Sequence, residues 1–126
     1  MGGRTSRDKG KRGERELVNL LKAQGWEAER NWAEQSEKGG SGVDVESSKD
    51  RKAVAWQVKF AKNVNAARAL FEVLGSPGPR GAPDYTARVA ATRIVPAKPK
   101  AYDGWAITMT LEDFLNLLEG RGRAGG

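Results

Sequence analysis

An α/β domain, with a mixed central β-sheet of about five strands flanked by helices, is the fold this sequence predicts, and three observations predict it. Between Gly42 and Phe60 two runs alternate apolar and polar residues with a period of two, as half-buried strands do. Three other stretches repeat apolar residues at helical spacing instead. The elements then follow in the order helix, three strands, helix, two strands, helix, which a layered α/β arrangement accommodates. With 126 residues the chain makes one domain, residues 1–126, around a single modest core.

The chain opens on charge. Residues 1–9 read as a flexible basic arm, and Arg4, Arg7, Lys9, Lys11, Arg12 and Arg15 outnumber Asp8 and Glu14 over the first fifteen positions. Such an arm binds phosphates through counterion release with little sequence preference; a solvated tail without a role is the plain alternative. A helix is expected over Lys11–Gln24, capped by Ser6 or Asp8, with Leu17, Val18, Leu20 and Leu21 as its buried stripe and Gly25 as its stop. Glu14 precedes Leu17 by three residues and Leu21 by seven, on the edge of that stripe. Its carboxylate should face the sheet and meet a cation, a lysine or a metal, because burying it unpaired is costly. The alternative is a carboxylate that only complements the helix dipole.

Trp26–Trp32 alternates weakly and reads as a first strand. The loop after it closes on Gly39-Gly40-Ser41-Gly42, where glycines either let the backbone approach a ligand or form a mobile connection. In the hairpin that follows, Val43 and Val45 are expected on one face, Asp44 and Glu46 on the other. Val54, Trp56, Val58 and Phe60 oppose Ala55, Gln57 and Lys59 in the same way, with Ser47-Ser48-Lys49-Asp50 as the turn. This pairing gathers the Asp44 carboxylate, the Gln57 amide and the Lys59 amine on one surface. Residues two apart on a strand stand roughly 7 Å apart, close enough to share one phosphate and one hydrated metal ion. The plain alternative for Lys59, a surface lysine on an exposed strand face, weakens once Asp44 shares that face.

A second helix is expected over Val64–Leu74, with Val64, Ala67, Leu70, Phe71 and Leu74 as core. The turn-rich stretch from Gly75 to Asp84, with Arg80 as its one positive charge, reads as a long loop. Tyr85–Val95 should be a strand stopped by Pro96 and Pro99, and Trp105–Met109 another. Thr110-Leu111-Glu112-Asp113 resembles a capping box with Asp in the place of Glu, opening a helix that carries Leu111, Phe114, Leu115 and Leu118. Residues 120–126 read as a disordered tail.

Composition narrows the chemistry. The net charge is +6, from 22 basic and 16 acidic residues, which points to a polyanionic partner. Neither cysteine nor histidine occurs, so zinc fingers, histidine–metal nucleases and Ser-His or Cys-His catalysis are excluded. A hydrolase built from this chain relies on carboxylates, lysine and a hard ion held by oxygen. No apolar run reaches the ~20 residues of a membrane span, so no membrane partner is expected.

Glu14, Asp44 and Gln57-Val58-Lys59 together resemble, in order, the PD-(D/E)XK nuclease superfamily, with a carboxylate on the first helix, one on the hairpin and an E-X-K on the last hairpin strand. The run Lys11-Arg12-Gly13-Glu14-Arg15-Glu16-Leu17-Val18, followed by Leu20-Leu21 and Gly25-Trp26, and then Ser41-Gly42-Val43-Asp44, is similar to the opening of the archaeal-type Holliday junction resolvases. The likeness covers about residues 9–62; beyond them only the order of elements agrees. Val43 replaces the motif's proline, and Gln57 replaces its usual glutamate, leaving an amide oxygen without negative charge. Glu46 is a candidate to make up that charge.

The resemblance implies a restriction-endonuclease-like core and a Mg²⁺-dependent endodeoxyribonuclease, Mn²⁺ substituting, that cuts branched DNA at four-way junctions as a homodimer. It implies the cytoplasm of a prokaryote or of a virus-infected cell as its setting. Asp44, Glu14, the Gln57 oxygen and the Val58 carbonyl would hold the metal, and Lys59 would orient the attacking water. Expected DNA contacts are Arg4, Arg7, Lys9, Lys11, Arg12, Arg15, Ser41, Lys62 and Arg80. The alternatives are another nuclease of the superfamily (a nickase, a repair or a restriction-type enzyme) and a DNA-binding module without catalysis, which Gln57 keeps open.

Overall fold

The protein is described by a computed structural model covering residues 2–31, 43–60, 65–78, 84–96 and 98–120, with residues 2–10 described as helical backbone. Three helices and five strands appear in it: α1 (Gly2–Ala23), β1 (Glu27–Arg30), β2 (Val45–Lys49), β3 (Lys52–Lys59), α2 (Ala66–Leu74), β4 (Ala87–Ile94), β5 (Gly104–Thr108) and α3 (Leu111–Leu118). The strands form one sheet in the order β1-β2-β3-β4-β5. Every neighbouring pair is antiparallel except β3 and β4, which run parallel because α2 carries the chain between them. The mixed sheet flanked by helices is the fold class that the sequence predicts.

Strand β3 lies at the centre and is apolar on both faces, with Ala53, Val54, Ala55 and Val58 all buried. On one face Leu17 and Val18 of α1 pack against Val45, Val58 and Ala91. Trp56 extends that layer to Val54, Ala87 and Val89, which Leu117 of α3 covers. On the opposite face Val73 of α2 packs against Ala55 and Val43. Helix α1 comes closest to β3 at Gly13, where a β-carbon would lie 3.1 Å from Phe60 Cδ2 and 3.3 Å from Val58 Cγ1. A side chain there would press on Phe60 and Val58 by a few tenths of an ångström, whereas at Gly25 the φ of +88° that ends the helix favours glycine outright.

The structure departs from the sequence reading at several points. Helix α1 begins at Gly2, so the backbone read as a flexible arm over residues 1–9 continues the helix from residue 2 on. The hairpin turns at Asp50-Arg51, both with positive φ (50° and 69°), while Ser47, Ser48 and Lys49 stay in β2. That geometry is a two-residue type I′ connection, whose twist matches the flanking strands. Leu20 is exposed, although the stripe of α1 included it. In α2 the buried line is Ala69 and Val73, and Ala67 and the larger Phe71 and Leu74 face outward. Small residues let this helix sit close to the sheet. Val64 lies outside the described residues. In α3 no residue is buried, and Leu111, Phe114, Leu115 and Leu118 are exposed. Thr110 does cap α3 by accepting the Asp113 N–H, but the Asp113 carboxylate turns away to accept the Arg88 N–H at 3.1 Å.

Candidate active site

The hairpin's alternation breaks at Asp44, and that break makes the site. Val43 packs on the α2 side with Ala55 and Val73, whereas Val45 packs on the α1 side with Leu17 and Val18. Residues two apart in a regular strand share a face, so the expectation that Val43 and Val45 do so is corrected. Between them Asp44 still donates its N–H to Trp56 O at 2.8 Å, but the ladder of β2 on β3 stops at Val45–Trp56. The next N–H of β3 on that side, Val58, is taken by the Asp44 carboxylate, Oδ2 accepting at 2.9 Å. A side chain thus replaces a strand partner where β2 leaves β3. The stub of β1 fixes this departure: Asn31 N–H donates to Asp44 O at 2.8 Å and Asn31 Nδ2 donates to Val43 O at 2.9 Å.

Gln57 and Lys59 project from the following residues of β3 on the α2 side, as their alternation with Trp56 and Val58 predicts. Both meet Glu72 of α2. Gln57 Nε2 donates to Glu72 Oε2 at 3.2 Å, and the Lys59 ammonium lies 3.0 Å from the same oxygen. Gln57 is buried to 8 % exposure, and among the described residues its Oε1 has no hydrogen-bond partner. A buried acceptor without a donor is costly. A bound cation is one way to satisfy it. Carboxylate, amide oxygen and lysine form a donor set suited to a hard divalent ion, so the residues fit the metal that the resemblance implies. Among the described residues, no three Asp, Glu, His or Cys side chains gather closely enough to hold an ion. The amide at position 57 accounts for one acidic group fewer.

Glu14 enters from α1. Its carboxylate accepts from Arg30 Nε at 2.9 Å, and both side chains are largely buried. Arg30 pairs with Val45 across β1 and β2, so this ion pair stands one residue from Asp44 along the strand. The cation that the position of Glu14 calls for is thus Arg30, which the sequence reading did not name. Glu46 pairs with Ala55 and lines a shallow hollow with Glu27, Glu29 and Tyr85, apart from these contacts. Arg12 stacks its guanidinium 5.6 Å from the centre of the Phe60 ring, next to the end of β3. Lys11 and Arg15 are exposed. The side chains of Arg4, Arg7 and Lys9, together with Ser41, Lys62 and Arg80, lie outside the described residues.

Three residues of this neighbourhood escape sequence reasoning: Arg30, Asn31 and Glu72. Arg30 and Asn31 sit in a weakly patterned strand with no motif. Glu72 does carry a signal, as the one charge inside Leu70-Phe71-Glu72-Val73-Leu74 and an acidic group in the last turn of a helix, where the dipole opposes it.

The family model described as archaeal Holliday junction resolvase (Hjc) matches residues 5–67. Among solved structures, that of Archaeoglobus fulgidus Hjc, a Holliday junction resolvase from an archaeal hyperthermophile, has the same fold with a TM-score of 0.51. The two chains are 21 % identical, and the match covers 80 % of this chain and 72 % of that one. No curated protein matches.

Proposed function

The chain belongs to the archaeal Holliday junction resolvase family, a family of metal-dependent endonucleases that resolve four-way DNA junctions, and from that premise we propose that Asp44, Gln57 and Lys59 form its hydrolytic centre. The observation that carries this reading is the break at Asp44, which aims a carboxylate at the Val58 N–H, the residue after Gln57, whose buried Oε1 has no hydrogen-bond partner among the described residues. Asp44 and Gln57 Oε1 would hold a Mg²⁺ ion, with Mn²⁺ substituting, and Glu14 would contribute from α1. The metal, when bound, lowers the pKa of a water and stabilises charge growing on the phosphate. Val58 N–H keeps one Asp44 oxygen fixed, so the carboxylate loses little freedom on binding. Lys59 holds the attacking water or a non-bridging phosphate oxygen through its ammonium protons. Lys11, Arg12, Arg15 and the basic residues before them meet the flanking phosphates.

A homodimer completes the reading. Resolution takes two symmetric cuts, and a two-fold pair of sites supplies them. The apolar face of α3, with Leu111, Phe114, Leu115 and Leu118 exposed, supports a second copy of this chain as partner. Among the described residues, no helix is long and apolar enough to cross a membrane.

The test is cleavage of an end-labelled four-way junction with Mg²⁺. Asp44→Asn and Lys59→Ala should each lower the rate about a hundredfold or more while junction binding persists. An Asp44→Asn variant that cuts at the wild-type rate removes the proposed centre. Because Gln57 carries no charge, a binding-only protein is the second reading; it predicts salt-sensitive junction binding and no cutting in either metal.

A further inference from the structure

One carboxylate oxygen on α2 holds two side chains of β3. Glu72 Oε2 accepts from Gln57 Nε2 at 3.2 Å and pairs with the Lys59 ammonium at 3.0 Å. An ionised carboxylate accepts hydrogen bonds and donates none, so it draws the amide nitrogen toward itself. The amide oxygen is left buried and, among the described residues, without a hydrogen-bond partner. The ammonium has three protons, and its pair with Glu72 engages one; two remain for a water or a phosphate oxygen. A lysine with a third of its side chain exposed would otherwise sample many rotamers. Locally, Glu72 is poorly placed. It sits in the last turn of α2, which carries no basic residue to offset it against the helix dipole. A residue that breaks a local rule in this way is commonly kept for a role elsewhere.

We propose that Glu72 is a positioning residue for junction hydrolysis: from α2 it fixes the Lys59 ammonium and the Gln57 amide in one arrangement before DNA arrives, and itself touches neither substrate nor metal. The inference rests on the reading of Gln57 and Lys59 given above. Groups ordered in advance need no ordering during the reaction, and a misplacement of about 1 Å can cost a hundredfold in rate. The clamp reaches both groups because they stand two residues apart on one face of β3, opposite the flank of α2 beside the buried Val73.

Three measurements on the full-length protein test this: single-turnover cutting of a labelled four-way junction, junction affinity, and ¹⁵N relaxation of the Gln57 side-chain amide. Glu72→Ala should cut about tenfold or more slowly, within the range that misplacement costs, with junction affinity no weaker than that of the wild type. The Gln57 amide, identified by the loss of its signals in Gln57→Glu, should become mobile, its order parameter falling from about 0.85 toward 0.6 or less. Glu72 is exposed, so the substitution leaves the fold intact, and a thermal melt verifies it. If Glu72→Ala cuts at the wild-type rate while Lys59→Ala does not, the inference falls alone. A slowed Glu72→Ala whose Gln57 amide stays rigid overturns it too, because the slowing then has another source than lost orientation. A loss confined to junction affinity would make Glu72 a binding contact instead. If Lys59→Ala cuts at the wild-type rate, the proposed centre itself falls.

Discussion

Gly13 shows how much of the site depends on one missing side chain. It lets α1 lie against the end of β3, where Val58 holds Asp44 by its N–H and Phe60 supports Arg12. Gly13→Val should destabilise the protein by about 1–3 kcal/mol, the usual cost of overpacking, because its branched side chain would crowd the buried Val58 and Phe60; denaturant unfolding measures it. The same substitution should slow junction cutting, since α1 carries Glu14 next to the crowded point. A second residue-scale expectation concerns acid. Arg88 hydrogen-bonds the Asp84 carboxylate and holds its pKa below the ordinary 3.8; partial burial opposes the shift, and the Tyr85 N–H assists it. The folded-state pKa is depressed, so the stabilisation is present above the ordinary value and disappears as the pH falls through the folded one. Asp84→Asn should therefore melt slightly below the wild type at pH 7, and the gap should close on acidification below about pH 4. Asp84 is half exposed, so solvent screens the pair and keeps the gap small. At this scale the shared side of Gln57 and Lys59 on β3 was legible, because the strand period places both there, whereas the break in alternation at Asp44 was not. Nor was Glu72: its helix reads as core, and only the fold shows that it reaches across to β3.

Elements were legible in kind and order, and less so in rotation. Helix α2 illustrates why. Ala67 and the large Phe71 and Leu74 form a convincing stripe, yet the sheet accepts the line through Ala69 and Val73. Periodicity reports that a helix has an apolar side; it does not report how close the sheet must come. Here Ala55 and Ala90 leave room for an approach that bulky residues would prevent. That rotation is also what turns Glu72 toward Gln57 and Lys59. The β2–β3 turn was misplaced for a related reason: Ser47-Ser48 is a good turn signal, but Ser47 is buried in the strand and accepts the Trp56 indole N–H at 2.8 Å. The observed turn asks Asp50 and Arg51 for positive φ, which non-glycine residues adopt at a cost. Arg51→Gly should relieve that strain and stabilise the domain by about 1 kcal/mol, raising the melting temperature by a few degrees. A lower melting temperature in circular dichroism would show that the Arg51 side chain matters more than its backbone.

For the whole molecule, the basic charge pointed to nucleic acid before any motif did, and the opening half of the chain carried the family. The later half was legible only as an order of elements, because β4, β5 and α3 hold no motif and serve to close the sheet. Their outward face is the surface proposed for a second copy of the chain. Helix α3 leaves Leu111, Phe114, Leu115 and Leu118 exposed and has no buried residue, which costs solubility and contributes little core beyond Leu117. A second copy placed about a two-fold axis would bury that face and set two Asp44 centres on one junction. Leu118 is 65 % exposed, so Leu118→Asp removes little from the monomer's own packing. The variant should sediment as a monomer where the wild type sediments as a dimer, with an unchanged far-UV spectrum. On a four-way junction placed in a supercoiled cruciform plasmid, a dimer makes both cuts within the lifetime of one complex and yields linear DNA. The monomeric variant should instead accumulate nicked circles, because its second cut waits for a new encounter and the cruciform is lost once the first nick relaxes the plasmid. Linear product from a protein that sediments as a monomer would place the partner surface elsewhere.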